Sequence, residues 1–362
     1  MSTDRMPIPP LPRGHIASLP RYVAGSPATR SDGSPGYKLS SNESPYPVLP
    51  EVLDAIAQAV RSANRYPSPG QKLRARLAQR HGLPESAIGL SGGSLELLRD
   101  LLLAFTGYGT SVVYGWRSYE AYPILVQTTG AAAIAVPLRD HRVDLEQLAL
   151  AVRPDTRAVL LADPNNPTGT VLDPDSIERF AQSLAPECLL ILDRAYWEFA
   201  EAYPADPGLH LGLNRPNVVV LRTFSKAYAL AGMRVGWCVA DPGILSALEA
   251  VALPFTLTAA AQAAALAALD QEAALFVRVA ALVAERERVR AELLGLGFEV
   301  PSSAANFLWL PLQDRAPGFA QDCARAGVSV RCFGNEGVRV TVGTPRENDA
   351  FVEVAMKCRP HG

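Results

Sequence analysis

Residues 223–234 read Thr-Phe-Ser-Lys-Ala-Tyr-Ala-Leu-Ala-Gly-Met-Arg, and they follow a short apolar run at 217–221. A β-branched run of this length is typical of a buried strand in a parallel sheet, so Lys226 should lie just past the carboxyl end of a strand. Ligands of open α/β sheets bind at that edge. A lysine between hydroxyls, with an arginine further on, suits a phosphorylated aldehyde that the lysine amine can bond. The candidate phosphate ligands are Thr223, Ser225 and Arg234.

An isolated Ser-Lys pair is more often part of a solvated loop, but two further apolar runs favour a functional site. Residues 157–162 lead into Asn166, and residues 188–192 end at Asp193. The three polar residues follow one another at intervals of roughly 30 residues, the length of a strand–helix–strand unit. Because such crossovers place successive parallel strands side by side, we expect these side chains to meet at one sheet edge. The alternative for Asp193 is a helix cap.

The same segments resemble a known family. Residues 223–234 resemble the cofactor-lysine motif of the fold-type I pyridoxal-phosphate (PLP) aminotransferases, in the branch of the histidinol-phosphate and aromatic amino-acid enzymes. The Asn-Pro-Thr-Gly turn at 166–169 and the Leu-x-x-Asn-Glu pattern at 39–43 resemble other marks of that family. The resemblance implies an α/β fold with a mostly parallel central sheet, helices on both its faces, and a smaller α+β domain.

The resemblance also implies a full set of cofactor ligands. Lys226 would bond PLP and move the substrate proton, and Asp193 would pair with the pyridine nitrogen. Asn166 and Tyr196 would reach the phenolic oxygen, and Tyr119 would stack on the ring. Small residues at a helix start leave free backbone N–H groups, which suit a phosphate. The phosphate ligands would therefore be Gly93, Ser94 and Leu95, together with Thr223, Ser225 and Arg234.

Four residues are candidates for binding the substrate. Arg339 alternates with valines on a predicted strand, and in the family an arginine there binds the substrate α-carboxylate, whereas a structural salt bridge is the alternative. Arg331 matches a position that helps to bind phosphate in histidinol-phosphate enzymes, and related aromatic enzymes also have it. Asn42 either faces the substrate or forms part of a polar turn. Tyr22 matches a segment that packs near the substrate entrance.

The substrate hypotheses depend mainly on the Gly-Trp-Arg-Ser-Tyr-Glu loop at 115–120, which resembles the aromatic amino-acid enzymes of the branch. We expect an aminotransferase that moves an amino group from an aromatic L-amino acid to a 2-oxo acid such as 2-oxoglutarate, with Tyr22, Tyr119 and Trp197 near the substrate. The alternatives are a histidinol-phosphate aminotransferase of histidine biosynthesis, a specialised-metabolism enzyme of the same branch, and a non-catalytic protein with the PLP fold.

One residue departs from the family pattern. The chain reads Asp-Arg-Ala-Tyr at 193–196, where the family usually has glutamate at the position of Arg194. Adjacent side chains on a strand point to opposite faces, so Arg194 need not touch the cofactor ring. Its charge leaves open a specialised substrate or a partner surface.

The resemblance implies two domains and a homodimer. We expect an arm at residues 1–44 that joins the small domain, a large PLP-binding domain at 45–255 and a small C-terminal domain at 256–362. Tyr66 precedes a proline, so its backbone should be extended. In the family the matching tyrosine crosses to the other subunit's site and contacts the cofactor phosphate. A surface tyrosine in a turn is the alternative.

Composition and charge argue against several classes of protein. Lys+Arg number 34 against 36 Asp+Glu, a net charge of -2, so no nucleic-acid surface is expected. Residues 1–12 lack the apolar core of a signal peptide, and the apolar stretch at 255–269 is too short to cross a bilayer. The five cysteines have no Cys-x-x-Cys spacing and predict buried thiols in a reducing compartment. We expect a cytoplasmic enzyme without a metal or a membrane contact.

Overall fold

The computed structural model describes residues 11–20, 25, 29, 33, 35–200 and 206–360. The strands in these residues are, in chain order, β1 (Tyr37–Lys38), β2 (Ile88–Ser91), β3 (Ser111–Trp116), β4 (Ala132–Pro137), β5 (Thr156–Ala162), β6 (Leu189–Asp193), β7 (Val218–Thr223), β8 (Gly236–Val239), β9 (Phe307–Leu310), β10 (Val328–Ser329), β11 (Arg331–Phe333) and β12 (Gly337–Thr341). The helices are α1 (Gly14–Ala17), α2 (Pro50–Val60), α3 (Gln71–His81), α4 (Ser94–Phe105), α5 (Ala121–Thr129), α6 (Leu145–Ala151), α7 (Pro174–Ser183), α8 (Pro207–Asn214), α9 (Pro242–Val251), α10 (Ala259–Asp270), α11 (Glu272–Gly295), α12 (Ala316–Arg325) and α13 (Pro345–Lys357).

Seven strands form the central sheet in the order β2-β8-β7-β6-β5-β3-β4. Strands β3 to β7 run parallel to one another, while β8 runs antiparallel to both β7 and β2. The prediction of an α/β fold with a mostly parallel central sheet is therefore confirmed. The neighbouring positions of β5, β6 and β7 follow from the crossover connections between them.

Both faces of the central sheet are covered by helices. On β7, Val218 and Val220 join a hydrophobic cluster with helices α3, α7 and α10, whereas Val219 and Leu221 join a second cluster with α4, α5 and α9. Alternate residues of a strand point to opposite faces, so a strand covered on both sides must be apolar throughout. This packing explains the continuous apolar run that precedes Lys226.

A smaller antiparallel sheet lies in the C-terminal part of the chain, in the order β11-β12-β9. It packs with helices α11, α12 and α13 in a third hydrophobic cluster, which also contains Leu39. Strand β1 pairs with β10, which brings residues 37–43 from the N-terminal part of the chain beside this sheet. Arg339 on β12 lies directly opposite Arg331 on β11.

Residues 298–300 alternate between apolar and polar side chains, which suggests a strand, yet these residues lie outside any strand. Phe298 and Val300 are both buried in the third cluster. The alternating pattern therefore reflects the burial of these two side chains, and no strand in the described residues pairs with the segment.

Two expectations from the composition concern membrane-spanning helices and the state of the cysteines. Among the described helices, none combines the length and the apolar character that crossing a bilayer requires. Cys188, Cys238 and Cys323 are buried, and Cys332 and Cys358 are partly exposed; all five are free thiols.

Candidate active site

The carboxyl ends of β5, β6 and β7 open into one cavity, here called the central cavity. Asn166, Asp193 and Lys226 all line it, as expected from three neighbouring parallel strands. The small sheet contributes Arg331 and Arg339 to the same cavity. Its further lining residues among the predicted set are Asn42, Ser94, Leu95, Tyr119, Tyr196, Thr223, Ser225 and Arg234.

Lys226 is half-buried at the floor of this cavity. Its Nζ donates to the backbone oxygen of Asn42 at 3.2 Å and lies 5.6 Å from the centre of the Tyr196 ring. Burial lowers the pKa of Lys226 from 10.5 to about 8, and the nearby charge of Arg339 acts in the same direction. Part of the lysine population is therefore uncharged near neutral pH, which is the form that can act as a nucleophile or a base.

Asp193 is held by two donors. The hydroxyl of Tyr122 donates to Oδ2 at 3.1 Å, and the backbone N–H of Ala195 donates to Oδ1 at 3.2 Å. Burial raises the pKa of Asp193, whereas these hydrogen bonds and the charge of Lys226 lower it. Sequence reasoning did not identify Tyr122. Its spacing of three residues from Tyr119 at the start of α5 was the available signal, since residues three apart share a helix face.

Asn42 and Tyr196 are linked by a hydrogen bond. Asn42 Nδ2 donates to the Tyr196 hydroxyl at 2.9 Å, and the Thr341 hydroxyl donates to Asn42 Oδ1 at 3.0 Å. Asn42 has a φ of 53°, a left-handed conformation that asparagine tolerates better than most residues. Asn42 thus orients Tyr196 as well as lining the cavity. Thr341 was not predicted, and nothing in its local sequence distinguishes it from other strand threonines.

Arg339 is buried and reaches across the cavity. It donates to Asn166 Oδ1 at 2.6 Å and to the backbone oxygen of Ser40 at 2.8 Å. Both of these acceptors are uncharged. A carboxylate is a stronger partner of a guanidinium than a neutral oxygen, so a substrate carboxylate could take their place on Arg339.

The start of α4 forms a cradle for an anion. Gly93 precedes Ser94 with a φ of 118°, a backbone conformation that favours glycine, and a Cβ at this position would collide with the Arg234 guanidinium. The Thr223 hydroxyl donates to Ser225 Oγ at 2.9 Å. Arg234 donates to the same Ser225 oxygen at 3.4 Å. Helix N–H groups, hydroxyls and a guanidinium are the donors that a phosphate needs, so this cradle fits a phosphorylated cofactor.

Tyr66, the predicted contact of the cofactor phosphate, does not line the central cavity of its own chain. Tyr66 is 81% exposed and stacks on Phe255 with a centroid distance of 4.4 Å, outside the cavity lining. Tyr22 lies outside the described residues.

The structure corrects two expectations about side chains near Asp193. Arg194 is 1% exposed, so it forms no partner surface, and its NH1 lies 2.9 Å from Asp163 Oδ2. It leaves β6 on the face away from the cavity, as strand alternation requires. Trp197 is also buried, with its ring 4.0 Å from the Arg194 guanidinium carbon, and it does not line the central cavity.

Comparisons with known proteins relate the whole chain to one family. The family model described as aminotransferase class I and II matches residues 34–354. The aromatic amino acid aminotransferase of Thermobifida fusca is 47% identical over 348 residues, which cover 96% of this chain and 97% of that protein. The protein of the same name from Streptomyces avermitilis is 46% identical over 349 residues, with coverages of 96% and 97%.

A solved structure shows the same fold. Histidinol-phosphate aminotransferase from Sinorhizobium meliloti, in complex with pyridoxal-5'-phosphate, superposes with a TM-score of 0.86 at 29% sequence identity. The superposition covers 95% of this chain and 96% of that one.

Proposed function

The chain belongs to the class I and II aminotransferases, and we propose that it transfers the amino group of an aromatic L-amino acid to a 2-oxo acid such as 2-oxoglutarate, with pyridoxal 5'-phosphate as its cofactor. One observation carries the proposal. Lys226, Asp193 and Arg339 line one cavity in a chain that is 47% identical, over nearly its whole length, to an aromatic amino acid aminotransferase.

The residues of the central cavity fit PLP. The amine of Lys226 would bond it, Asp193 would face the ring nitrogen, and Tyr119 would stack on the ring. Asn166 and Tyr196 would bind the phenolic oxygen. The hydrogen bond from Arg339 occupies the carbonyl oxygen of the Asn166 side chain and leaves its NH₂ group as the donor. The phosphate would be held by Gly93, Ser94, Leu95, Thr223, Ser225 and Arg234.

When bound, PLP supplies an aldehyde that bonds amines reversibly and a ring that withdraws electrons from the Cα of a bonded amino acid. Lys226 Nζ would take the proton from Cα and deliver it to the carbon of the PLP aldehyde group, a role that suits its pKa of about 8, which is close to neutral pH. An ionised Asp193 would favour a protonated ring nitrogen. Arg339 would bind the substrate α-carboxylate with two parallel N–H donors, which fixes the orientation of Cα.

The alternative donor is L-histidinol phosphate. The proposal has to be tested against this donor because a structural relative is a histidinol-phosphate aminotransferase. The protein loaded with PLP would be incubated with 2-oxoglutarate and either L-phenylalanine, L-tyrosine or L-histidinol phosphate. We expect glutamate and the aromatic oxo acids to form, and we expect Lys226→Ala to form none. Turnover of histidinol phosphate without turnover of the aromatic donors would reject the aromatic proposal.

A second measurement tests the role of Lys226 without turnover. Borohydride reduction of the PLP-loaded protein, followed by peptide mapping, should place the cofactor label on the peptide that contains Lys226. A label on another lysine would reject this assignment.

A further inference from the structure

Two ion pairs connect the loop after β3 to the small sheet. Arg331 on β11 donates through NH2 at 2.8 Å and through Nε at 3.1 Å to the same carboxylate oxygen of Glu120. Arg117 pairs in a similar way with Glu336, its Nε donating at 3.0 Å. The side chains of Arg331 and Glu120 are 14% and 27% exposed, so both are partly shielded from water.

The first pair reaches the central cavity through Arg331, although Glu120 itself does not line it, and the second pair contributes no lining residue. Arg331 lines the cavity, whereas Arg117 and Glu336 are outside its lining. Arg331 is also the cross-strand partner of Arg339, so the two arginines project from the same face of the small sheet. Their guanidinium carbons lie 5.9 and 5.7 Å from the centre of the Phe333 ring. The cavity therefore contains two neighbouring arginines, of which Arg331 is neutralised by Glu120.

We propose that Glu120 sets the side-chain charge preference of this site. This inference rests on the proposed function, in which Arg339 binds the α-carboxylate, and on the place of Arg331 in the lining of the same cavity, where it can contact the substrate side chain. While Glu120 is bound to Arg331, the end of the cavity lined by Arg331 carries no net charge and favours an uncharged aromatic ring. A substrate with a phosphate or a carboxylate at that end has to displace Glu120 from Arg331, and the exchange replaces one charged partner by another without net gain.

The partial exposure of Glu120 lowers the free-energy cost of its displacement from Arg331 by a substrate anion. A fully buried carboxylate could not leave its partner without a large desolvation cost, whereas Glu120 can turn towards water. Glu120 therefore acts as a competitor of anionic side chains and does not exclude them absolutely. This arrangement is compatible with an acidic 2-oxo acid as the amino-group acceptor. Such an acid would bind more weakly here than in a site where no carboxylate neutralises Arg331.

The test is the binding of two unreactive carboxylic acids to the PLP-loaded protein by isothermal titration calorimetry. Glutarate and 3-phenylpropionate each offer one carboxylate to Arg339 and differ at the other end. In Glu120→Gln the Arg331 charge is no longer neutralised, so we expect the affinity for glutarate relative to 3-phenylpropionate to rise by about tenfold. An unchanged ratio would overturn the proposal.

Two control variants separate this role from a structural one. Glu336→Gln removes a similar ion pair between the same two segments and should leave the affinity ratio unchanged. The double variant Glu120→Gln/Arg331→Gln should lose the gain in glutarate binding. An equal rise in Glu336→Gln, or a rise that persists in the double variant, would contradict the proposal.

The two proposals fail in different ways. If the wild-type protein forms no oxo acid from L-phenylalanine or L-tyrosine, the proposed function is wrong. The affinity ratio is measured with ligands that do not react, so it tests Glu120 whatever the outcome of the turnover assay. As a second readout, Glu120→Gln should gain turnover with L-histidinol phosphate relative to L-phenylalanine, and a ratio equal to that of the wild type would count against the proposal.

Discussion

Lys226 is the residue at which local electrostatics bears most directly on the chemistry. Burial and the charges of Arg339 and Arg234 favour its neutral form, and Glu43 and Asp193 oppose them. The balance lowers the pKa to about 8, so an amine that is ordinarily protonated at neutral pH becomes partly available. The neutral fraction at pH 7 is about 300-fold larger than for a lysine with an unperturbed pKa.

The first prediction concerns the pH dependence of cofactor binding. The rate at which the ligand-free protein bonds PLP should rise with pH and level off above pH about 8, because only the neutral amine reacts. Stopped-flow absorbance measures this rate. Arg339→Gln removes a cationic neighbour and should move the midpoint to higher pH. A midpoint at the ordinary lysine value of 10.5 would contradict the prediction.

The same pKa shift also affects stability. The folded pKa of Lys226 is below its ordinary value, so between pH about 8 and 10.5 the unfolded chain binds more protons than the folded one. The free energy of unfolding of the ligand-free protein should therefore increase with pH across that window. Urea titrations at several pH values measure this slope, and Lys226→Met should reduce it.

The next prediction concerns Tyr122, which donates to Asp193. Tyr122→Phe removes one hydrogen bond to the ionised carboxylate, an effect of about 1 to 3 kcal/mol, and should raise the pKa of Asp193 further. Because the ionised form of Asp193 is the one that pairs with a protonated ring nitrogen, the acid limb of the pH–rate profile should move to higher pH.

The matched control is Tyr114→Phe. The Tyr114 ring packs edge-to-face against Tyr122 with a centroid distance of 6.2 Å, and it is buried to a similar degree. This variant should keep the wild-type pH profile. Equal shifts in both variants would show that packing, and not the hydrogen bond to Asp193, is responsible.

At the scale of elements, the start of α4 depends on two glycines whose backbones lie in close contact with neighbouring groups. Gly93 adopts a φ of 118° under the Arg234 guanidinium, and a Cβ at Gly236 of β8 would meet the Ser94 amide nitrogen. The two glycines let the first turn of the helix lie against the adjacent strand, with its N–H groups facing the cavity. A helix N-terminus held in this way is a site for an anion.

Gly93→Ala should therefore weaken PLP binding. The substitution strains a positive φ and displaces Arg234, and we expect the dissociation constant for PLP to rise by about 5- to 150-fold, from a strain of about 1 to 3 kcal/mol. Gly318→Ala is the control, since it lies in α12 with open space around its Cβ position. Fluorescence titration of the ligand-free variants measures the constant. An unchanged value for Gly93→Ala would remove the α4 start from the proposed phosphate site.

For the whole molecule, we propose a homodimer in which Tyr66 contacts the cofactor phosphate of the other subunit. The exposed Tyr66 and Phe255 rings, stacked on one another outside the central cavity, support this proposal. We also propose that residues 45–255 form the large domain and that residues 1–44 and 256–362 join in the small one, with helix α10 of the latter range packed on the central sheet. The central cavity would then lie where the two domains meet, because both sheets contribute residues to it.

Mixing two inactive variants tests the crossing of Tyr66. A homodimer of the Arg339→Ala variant lacks Arg339 in both sites, and a homodimer of the Tyr66→Ala variant lacks Tyr66 in both sites, so each should be inactive. If Tyr66 acts in the other subunit's site, a heterodimer of the two variants has one intact site, and an equal mixture should regain about a quarter of wild-type activity. Subunits would be exchanged in mild denaturant and assayed after refolding. No gain on mixing would place Tyr66 in its own subunit's site or in none.

The sequence by itself determined three strands of the central sheet and the positions of their functional carboxyl ends. The apolar runs before Asn166, Asp193 and Lys226 are continuous because the strands are buried on both faces, and the crossover rules bring their carboxyl ends together. These are local patterns combined with one topological rule.

Only the tertiary structure decided the contacts between distant segments. The pairing of Asn42 with Tyr196, of Tyr122 with Asp193 and of Glu120 with Arg331 joins residues far apart in the chain. Each of these pairs depends on how the loops and the small sheet pack against the central sheet. That packing sets the partner of a side chain, whereas the neighbouring sequence sets only the element on which the side chain lies.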